Sequence, residues 1–209
     1  MGTFTGSPRS LRGAIVAVAP TSSVARVVVF QYNPDAVTRS LRPREAPSGQ
    51  QTGPADAHRI WGAPVETIAM TVDVDATDQL EAGVPVATTT GIAGQLAALE
   101  LLLYPSSALV ITNTALLMAG TIEILPPEGP LTLLVWGPGR VLPVRLESLT
   151  INEQAFDPAL NPIRATVDLS VRVLSYNDLP VTDSGRALFL VHQVLMESTA
   201  AAAIAGART

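Results

Sequence analysis

Ile163-Arg164-Ala165-Thr166-Val167-Asp168-Leu169-Ser170-Val171-Arg172-Val173-Leu174 decides the fold, because its side chains alternate without a break. Ile163, Ala165, Val167, Leu169, Val171 and Val173 fall on one side, and Arg164, Thr166, Asp168, Ser170 and Arg172 on the other. A period of two belongs to a strand with one face in a core; a helix would need a period of 3.6. Ile68 to Asp75 repeats the pattern, with Ile68, Met70, Val72 and Val74 opposed by Ala69, Thr71, Asp73 and Asp75. Along Val141 to Asn152 the apolar positions run Leu142, Val144, Leu146, then jump to Leu149 and Ile151. That phase change predicts a bulge or a switch of face.

Working outward, Gly13 to Ala19, Ala25 to Tyr32, Leu109 to Asn113, Thr121 to Leu125 and Leu131 to Trp136 read as further strands. Breaks such as Pro126-Pro127-Glu128-Gly129-Pro130 and Gly137-Pro138-Gly139 separate them. Strands at this spacing favour a closed or sandwiched sheet over a parallel α/β fold. Ala25 to Tyr32 is apolar on both faces, so it is expected at the centre of the sheet or covered on its second side. It stops at Asn33-Pro34-Asp35, where Pro34 has no N–H for a ladder and Asn and Asp bond their own backbone.

Two helices interrupt the strands. Ile92, Leu96, Leu99 and Leu103 share a stripe, with Thr88-Thr89-Thr90 as capping candidates and Pro105 as the stop. The second helix starts at Asp183 or Ser184 and carries Leu188, Val191 and Leu195 on one stripe, with Phe189, His192 and Met196 beside it, before an Ala-rich tail. Leu41 to Trp61 has no period and reads as a long loop ordered by partners. The expected class is mainly β with α (α+β), a β domain over residues 1–182 followed by a helical extension over residues 183–209.

The 209 residues suit one core. Hydrophobic residues make up 47% and charged residues only 15%, below the usual quarter or so, and a weakly charged surface suits contact with other subunits. The net charge is -5, every basic residue is Arg, and no basic run exists, which argues against a nucleic-acid partner. Without Cys there are no disulfides, thiolate metal sites or thiol nucleophiles. Without Lys there is no Schiff base. Arg9 and Arg12 before Gly13 to Ala19 imitate a signal peptide, but the apolar run is short and leads straight into another strand. No uninterrupted apolar stretch approaches the roughly 18 to 20 residues that a membrane span needs, and none is expected.

Chemistry-bearing patterns are sparse. Asp73, Asp75 and Asp78 lack the Gly and Glu that a calcium loop would place after them, and read as a solvated face. His58 and His192 are the only histidines, and neither has a helical partner at ligand spacing. The strained Gly-x-Ser-x-Gly turn and the Gly-rich phosphate loops are absent. No enzyme activity, cofactor or metal is expected.

Four landmarks in order carry a resemblance. Phe30-Gln31-Tyr32-Asn33-Pro34, the alternating strand Ile68 to Asp75 followed by an acidic stretch, Val135-Trp136-Gly137, and Asn161-Pro162-Ile163-Arg164-Ala165 together resemble the tube-initiating baseplate proteins of contractile injection systems, across residues 25–176. The matching positions are Phe30, Tyr32, Asn33, Pro34, Trp136, Gly137, Pro162 and Arg164. The resemblance implies a tail-tube-like β-barrel or sandwich with a flanking helix, assembled as a homo-hexameric ring between a spike hub below and an inner tube above. It implies assembly in the bacterial cytoplasm into a phage-tail-like particle, with other baseplate proteins meeting loop 41–61 and the C-terminal helix. Thr71, Asp73 and Asp75, or Thr166, Asp168 and Ser170, would then face the channel. Many members end in a LysM module, whose Tyr-x-Val and Gly-Asp-Thr-Leu signature does not follow Tyr176. The nearest alternative is the repeating inner-tube protein, which shares the fold; a small ligand-binding barrel or hydrolase is a more distant one.

Overall fold

The computed structural model describes residues 11–18, 25–46, 53, 58–81, 83, 85–120 and 129–207. The strands are β1 (Ala14–Val18), β2 (Ala25–Val29), β3 (Val37–Arg42), β4 (Val65–Asp75), β5 (Leu131–Val135), β6 (Val141–Phe156) and β7 (Pro162–Val173). The helices are α1 (Thr77–Glu81), α2 (Pro85–Thr90), α3 (Ala93–Glu100), α4 (Ser107–Met118) and α5 (Ser184–Gly206). The seven strands among the described residues form one sheet in the order β2-β1-β5-β6-β7-β4-β3, every neighbouring pair antiparallel.

The alternation in β4 and β7 divides as the sequence requires. Ile68, Met70, Val72 and Val74 are buried together with Ala165, Val167, Leu169, Val171 and Val173, and Thr71, Asp73 and Asp168 are exposed. The phase jump in β6 is a bulge. Leu146 pairs with Val171 and Ser148 with Ser170, so Glu147 is the additional residue. That one residue turns Leu149 and Ile151 back to the apolar side, opposite Leu169 and Val167.

The sheet curls on itself. Laid flat, β2 and β4 would lie five strand spacings apart, about 24 Å. Yet Gln31, just past β2, accepts a hydrogen bond from the Asp75 N–H at the end of β4 at 3.0 Å. Phe30 joins one core with Val72, Val74, Ile15 and Leu134. Strands β2 and β3 do not pair with each other, so the curl is left with a seam. Helix α3 packs on β2 beside that seam and buries Leu96 and Leu99, with Ile92 just before it. On β6, Pro143 is buried although it points away from Leu142 and Val144, so the sheet is covered on both sides there. Helix α5 packs on this strand, with Phe189 edge-on to Tyr176 at 5.8 Å between ring centres.

Several sequence expectations need correction. Leu109 to Asn113 is not a strand but part of α4: an apolar run this short has no period of its own. Pro105 precedes it, and the Ser106 hydroxyl accepts from the Leu109 N–H at 3.3 Å as an N-cap. Thr88-Thr89-Thr90 do not cap the next helix; they end α2, and Gly91 turns the chain into α3. Leu103 lies beyond α3 and is exposed.

Strand β2 is an edge rather than a centre, and its outer Val27 and Val29 are 55% and 53% exposed. The loop expected from Leu41 begins two residues inside β3, a strand the sequence reading missed. In α5 the docked side is Gly185, Phe189 and His192, whereas Val191 and Leu195 face outward. Its start is as expected, with Asp183 Oδ1 accepting from the Gly185 N–H at 2.7 Å. Thr121 to Leu125 falls outside the described residues.

Edge strand β3 carries its own protection. Arg39 and the buried Glu66 form an ion pair at 2.5 Å on the inward face of the β3–β4 pair, a placement that discourages further strand pairing there.

Candidate functional site

Three strands assemble the polar face. Antiparallel register sets Gln154, Arg164 and Asp75 in one cross-strand row, Asn152, Thr166 and Asp73 in the next, and Thr150, Asp168 and Thr71 in the third. Ser148, Ser170, Ala69 and Thr38 follow. Thr71, Asp73, Asp75, Thr166, Asp168 and Ser170, which the sequence divided into two alternatives, therefore share one surface. Period two in both strands, in register, leaves no other outcome.

The rows bond to one another. The Thr71 hydroxyl donates to Asp168 Oδ1 at 2.6 Å. Gln154 Nε2 donates to Thr166 Oγ1 at 3.2 Å, and that hydroxyl donates to Asp73 Oδ1 at 3.1 Å. Arg164 Nε meets Asp75 Oδ2 at 2.7 Å. The other Asp75 oxygen accepts from the hydroxyl and the N–H of Thr77. The Thr77 hydroxyl, with the Thr77 amide and Arg164, holds the Asp75 carboxyl below its ordinary range against the opposing effect of burial. Such a ladder presents fixed hydroxyls, amides and carboxylates. Thr150, Asn152 and Gln154 were missed in the sequence because their phase depends on the bulge at Glu147.

Tyr32, Asn33, Pro34, Asp35 and Ala36 form one wall of an open concavity over this face. The Asn33 turn is tied in place on both sides of its amide: Oδ1 accepts from the Gly13 N–H at 2.9 Å, and Nδ2 donates to the Leu11 carbonyl at 2.8 Å. Phe30 lies inside, its ring 6.4 Å from that of Trp136. The Trp136 backbone N–H donates to the Arg140 carbonyl at 2.8 Å across a tight turn whose Gly137 has φ +75°. Of the landmark residues, Phe30, Asn33, Trp136 and Gly137 thus fall into structural roles, whereas Tyr32 is half exposed and Arg164 belongs to the ladder.

A second polar group fastens the chain after β3. Arg44 donates to the Ala63 carbonyl at 2.9 Å and to Asp178 at 2.5 Å. Asp178 also accepts from Arg172 at 3.2 Å and from the Ser175 hydroxyl at 2.7 Å. Burial pushes the Asp178 carboxyl up, but Arg44 and the Ser175 donors outweigh it and leave it below the ordinary range. A carboxyl whose folded value is depressed contributes stability above its unfolded pKa and loses it as pH falls through the folded value. The melting temperature is therefore expected to hold from pH 7 to about 5 and to fall below about 4, with a shallower acid decline in Asp178→Asn. Thermal melts across that range check this; an unchanged acid slope in the variant would remove Asp178 as a cause.

On the polar face the hydroxyls of Thr71 and Thr166 donate to the carboxylates of Asp168 and Asp73, and among the described residues no histidine lies on that face. His58 is exposed in a turn. His192 is only 7% exposed on the docked side of α5, and neither ring nitrogen has a hydrogen-bond partner among the described residues. Among the described residues no group of three or more His, Asp or Glu gathers in a way that would hold a metal ion. Asp75 is committed to Arg164 and Thr77 rather than to Asp73. Comparison with models of protein families finds no match, and no curated protein matches the chain.

Proposed function

We propose that this chain is a structural ring subunit, a hub-to-tube adaptor in the baseplate of a contractile injection system. Six copies form a ring that receives the spike hub on one side and starts the inner tube on the other, within a phage-tail-like particle assembled in the bacterial cytoplasm. The observation that carries the reading is the ladder on β6, β7 and β4. It is polar, internally bonded and uncovered, as the wall of a channel must be to let cargo slide without sticking. The curled antiparallel sheet and the order of the landmarks support the same reading. In this role the subunit does no bond-making or bond-breaking. It converts the hub's geometry into a template for stacking, and its low charge suits surfaces that other subunits cover.

The absence of native Cys makes single-thiol labelling direct. Asp168→Cys and Asp73→Cys are expected to react with both a small maleimide and a bulky polyethylene-glycol maleimide in the isolated subunit. After coassembly with the hub, only the small reagent should still react. Equal reaction with both reagents in assembled particles would put the face outside, and reaction with neither would put it in a subunit contact. Electron micrographs of the same sample should show six-fold rings or short stubs. One ring per particle separates the adaptor from a repeating tube protein, which would be present as many rings.

A further inference from the structure

The two free edges of the sheet are built differently. In an antiparallel pair, opposed residues alternate between those that exchange N–H···O bonds and those that turn both groups to the other side. The Phe30 N–H bonds to the Gly13 carbonyl opposite it, one step beyond the Ala14–Val29 pair. Val28 and Ile15 are therefore in the bonded phase, and Val27 and Val29 turn their N–H and C=O groups away from β1. Among the described residues no strand pairs with β2 on that side.

The same reasoning applies to β3. The Ala76 N–H bonds to the Ile163 carbonyl, so Thr67 and Ala69 of β4 bond to Ser40 and Thr38, and Val37, Arg39 and Leu41 point to the free side. Arg39, in the middle of that row, is the residue whose side chain pairs with the buried Glu66. One edge thus carries an inward charge that discourages a further strand; the other presents two half-exposed valines with nothing to repel one.

A cleft of about 350 Å³ runs along the open side of β2, from Val27 to Gln31. Helix α3 forms its far wall, where Gly94 has no side chain and Ala98 only a methyl group. Gln31 and Gln95 line it as well, and Gln95 has no hydrogen-bond partner among the described residues. Unpaired peptide donors and acceptors at strand spacing, beside a primary amide, are satisfied by the peptide groups of an extended chain and not by hydrocarbon.

We propose that the β2 edge accepts one extended segment of another polypeptide, added to the sheet as a further strand. The segment is uncharged, because its inward side chains lie over Val72, Val74 and Leu99 and its outward ones beside Val27 and Val29. The folded sheet of a second copy does not fit. Among the described strands only β2 and β3 have a free edge; β3 is guarded, and β2 set against β2 would bring two α3 helices into one cleft. The inference stands on the edge alone and goes beyond the ring reading.

Hydrogen exchange tests both the edge and its occupant in the full chain. The Val27 and Val29 amides are expected to exchange at least ten-fold faster than that of Val28. A terminally blocked Thr-Val-Thr-Val-Thr peptide at millimolar concentration should slow both at least ten-fold, and the same peptide with every amide N-methylated should not. Val29→Lys should remove the protection of Val27 and leave the melting temperature of the free subunit unchanged, since Val29 is 53% exposed. Val27→Pro, which deletes a donor where an edge strand tolerates proline, should weaken peptide binding at least ten-fold. A Val27 amide as slow as that of Val28 without peptide, no protection at saturating peptide, or equal protection by the N-methylated peptide would overturn the proposal. Protection that grows with protein concentration alone would assign the edge to a second copy and overturn the occupant. The ring reading makes no use of this edge, so none of these results bears on it.

Discussion

Phe30→Ala is expected to cost about 3–5 kcal/mol of folding stability, the range for emptying a buried aromatic site. Phe30 is 2% exposed and directly follows β2. Its N–H donates to the Gly13 carbonyl at 2.8 Å, and its ring lies tilted against Trp136. Gly13 fits tightly over both rings: a Cβ there would come within 2.7 Å of Trp136 and 2.8 Å of Phe30. On its other side Phe30 shares the seam with Val72 and Val74. Truncation therefore opens a void between the two ends of the curled sheet, where neighbouring strands cannot slide in to fill it. Urea unfolding measures the loss, and Phe30→Leu should recover most of it. A cost below about 1 kcal/mol for the alanine variant would mean that the seam collapses freely.

Gly91→Ala is the second large effect, and its cause is backbone rather than core. Gly91 has φ +57°, and a Cβ on it would sit 2.1 Å from the Pro162 carbonyl oxygen. That carbonyl accepts the Ile92 N–H at 2.9 Å, and Asn161 Nδ2 donates to the Thr89 carbonyl at 3.2 Å nearby. The left-handed conformation costs about 1–2 kcal/mol for a residue with a Cβ, and losing the bond to Pro162 about 1 more. We expect a total of about 2–3 kcal/mol. Gly137→Ala is the control, since φ is +75° there but nothing lies within 4 Å of the added carbon; it should cost only the conformational part. If the two variants lose the same stability, the close approach of α2 and α3 to the β6–β7 hairpin contributes nothing. That hairpin holds Gln154 and Arg164, so a loosened Gly91 contact should also disturb the polar ladder.

The residues that were legible in the sequence share one property: their environment alternates over a long stretch. β4 and β7 each repeat the pattern often enough to specify both faces, and the jump between Leu146 and Leu149 in β6 was visible because a bulge changes phase by one. The start of α5 was legible through Asp183, whose side chain caps locally. Elements that depend on distant partners were not. β3 reads as Val-Thr-Arg-Ser-Leu-Arg, and its inward Arg39 is explained only by Glu66 on the neighbouring strand. The docked side of α5 was misplaced because Leu188, Val191 and Leu195 look as apolar as Phe189, and which side is buried depends on where β6 lies.

By itself the sequence determined that this is a mainly β chain with a polar face on β4 and β7, because side-chain alternation is a local property of an extended backbone. Only the tertiary structure decided that the six residues proposed for the channel share one surface, that β2 is an edge, and that the run Leu109-Val110-Ile111 is helical. Those outcomes depend on strand register, on the curl that brings Gln31 to Asp75, and on the hydrogen bond from the Leu109 N–H to Ser106. An apolar side chain has the same transfer free energy whichever neighbour buries it. Composition therefore records that a surface is to be covered, and only the packed geometry settles by what.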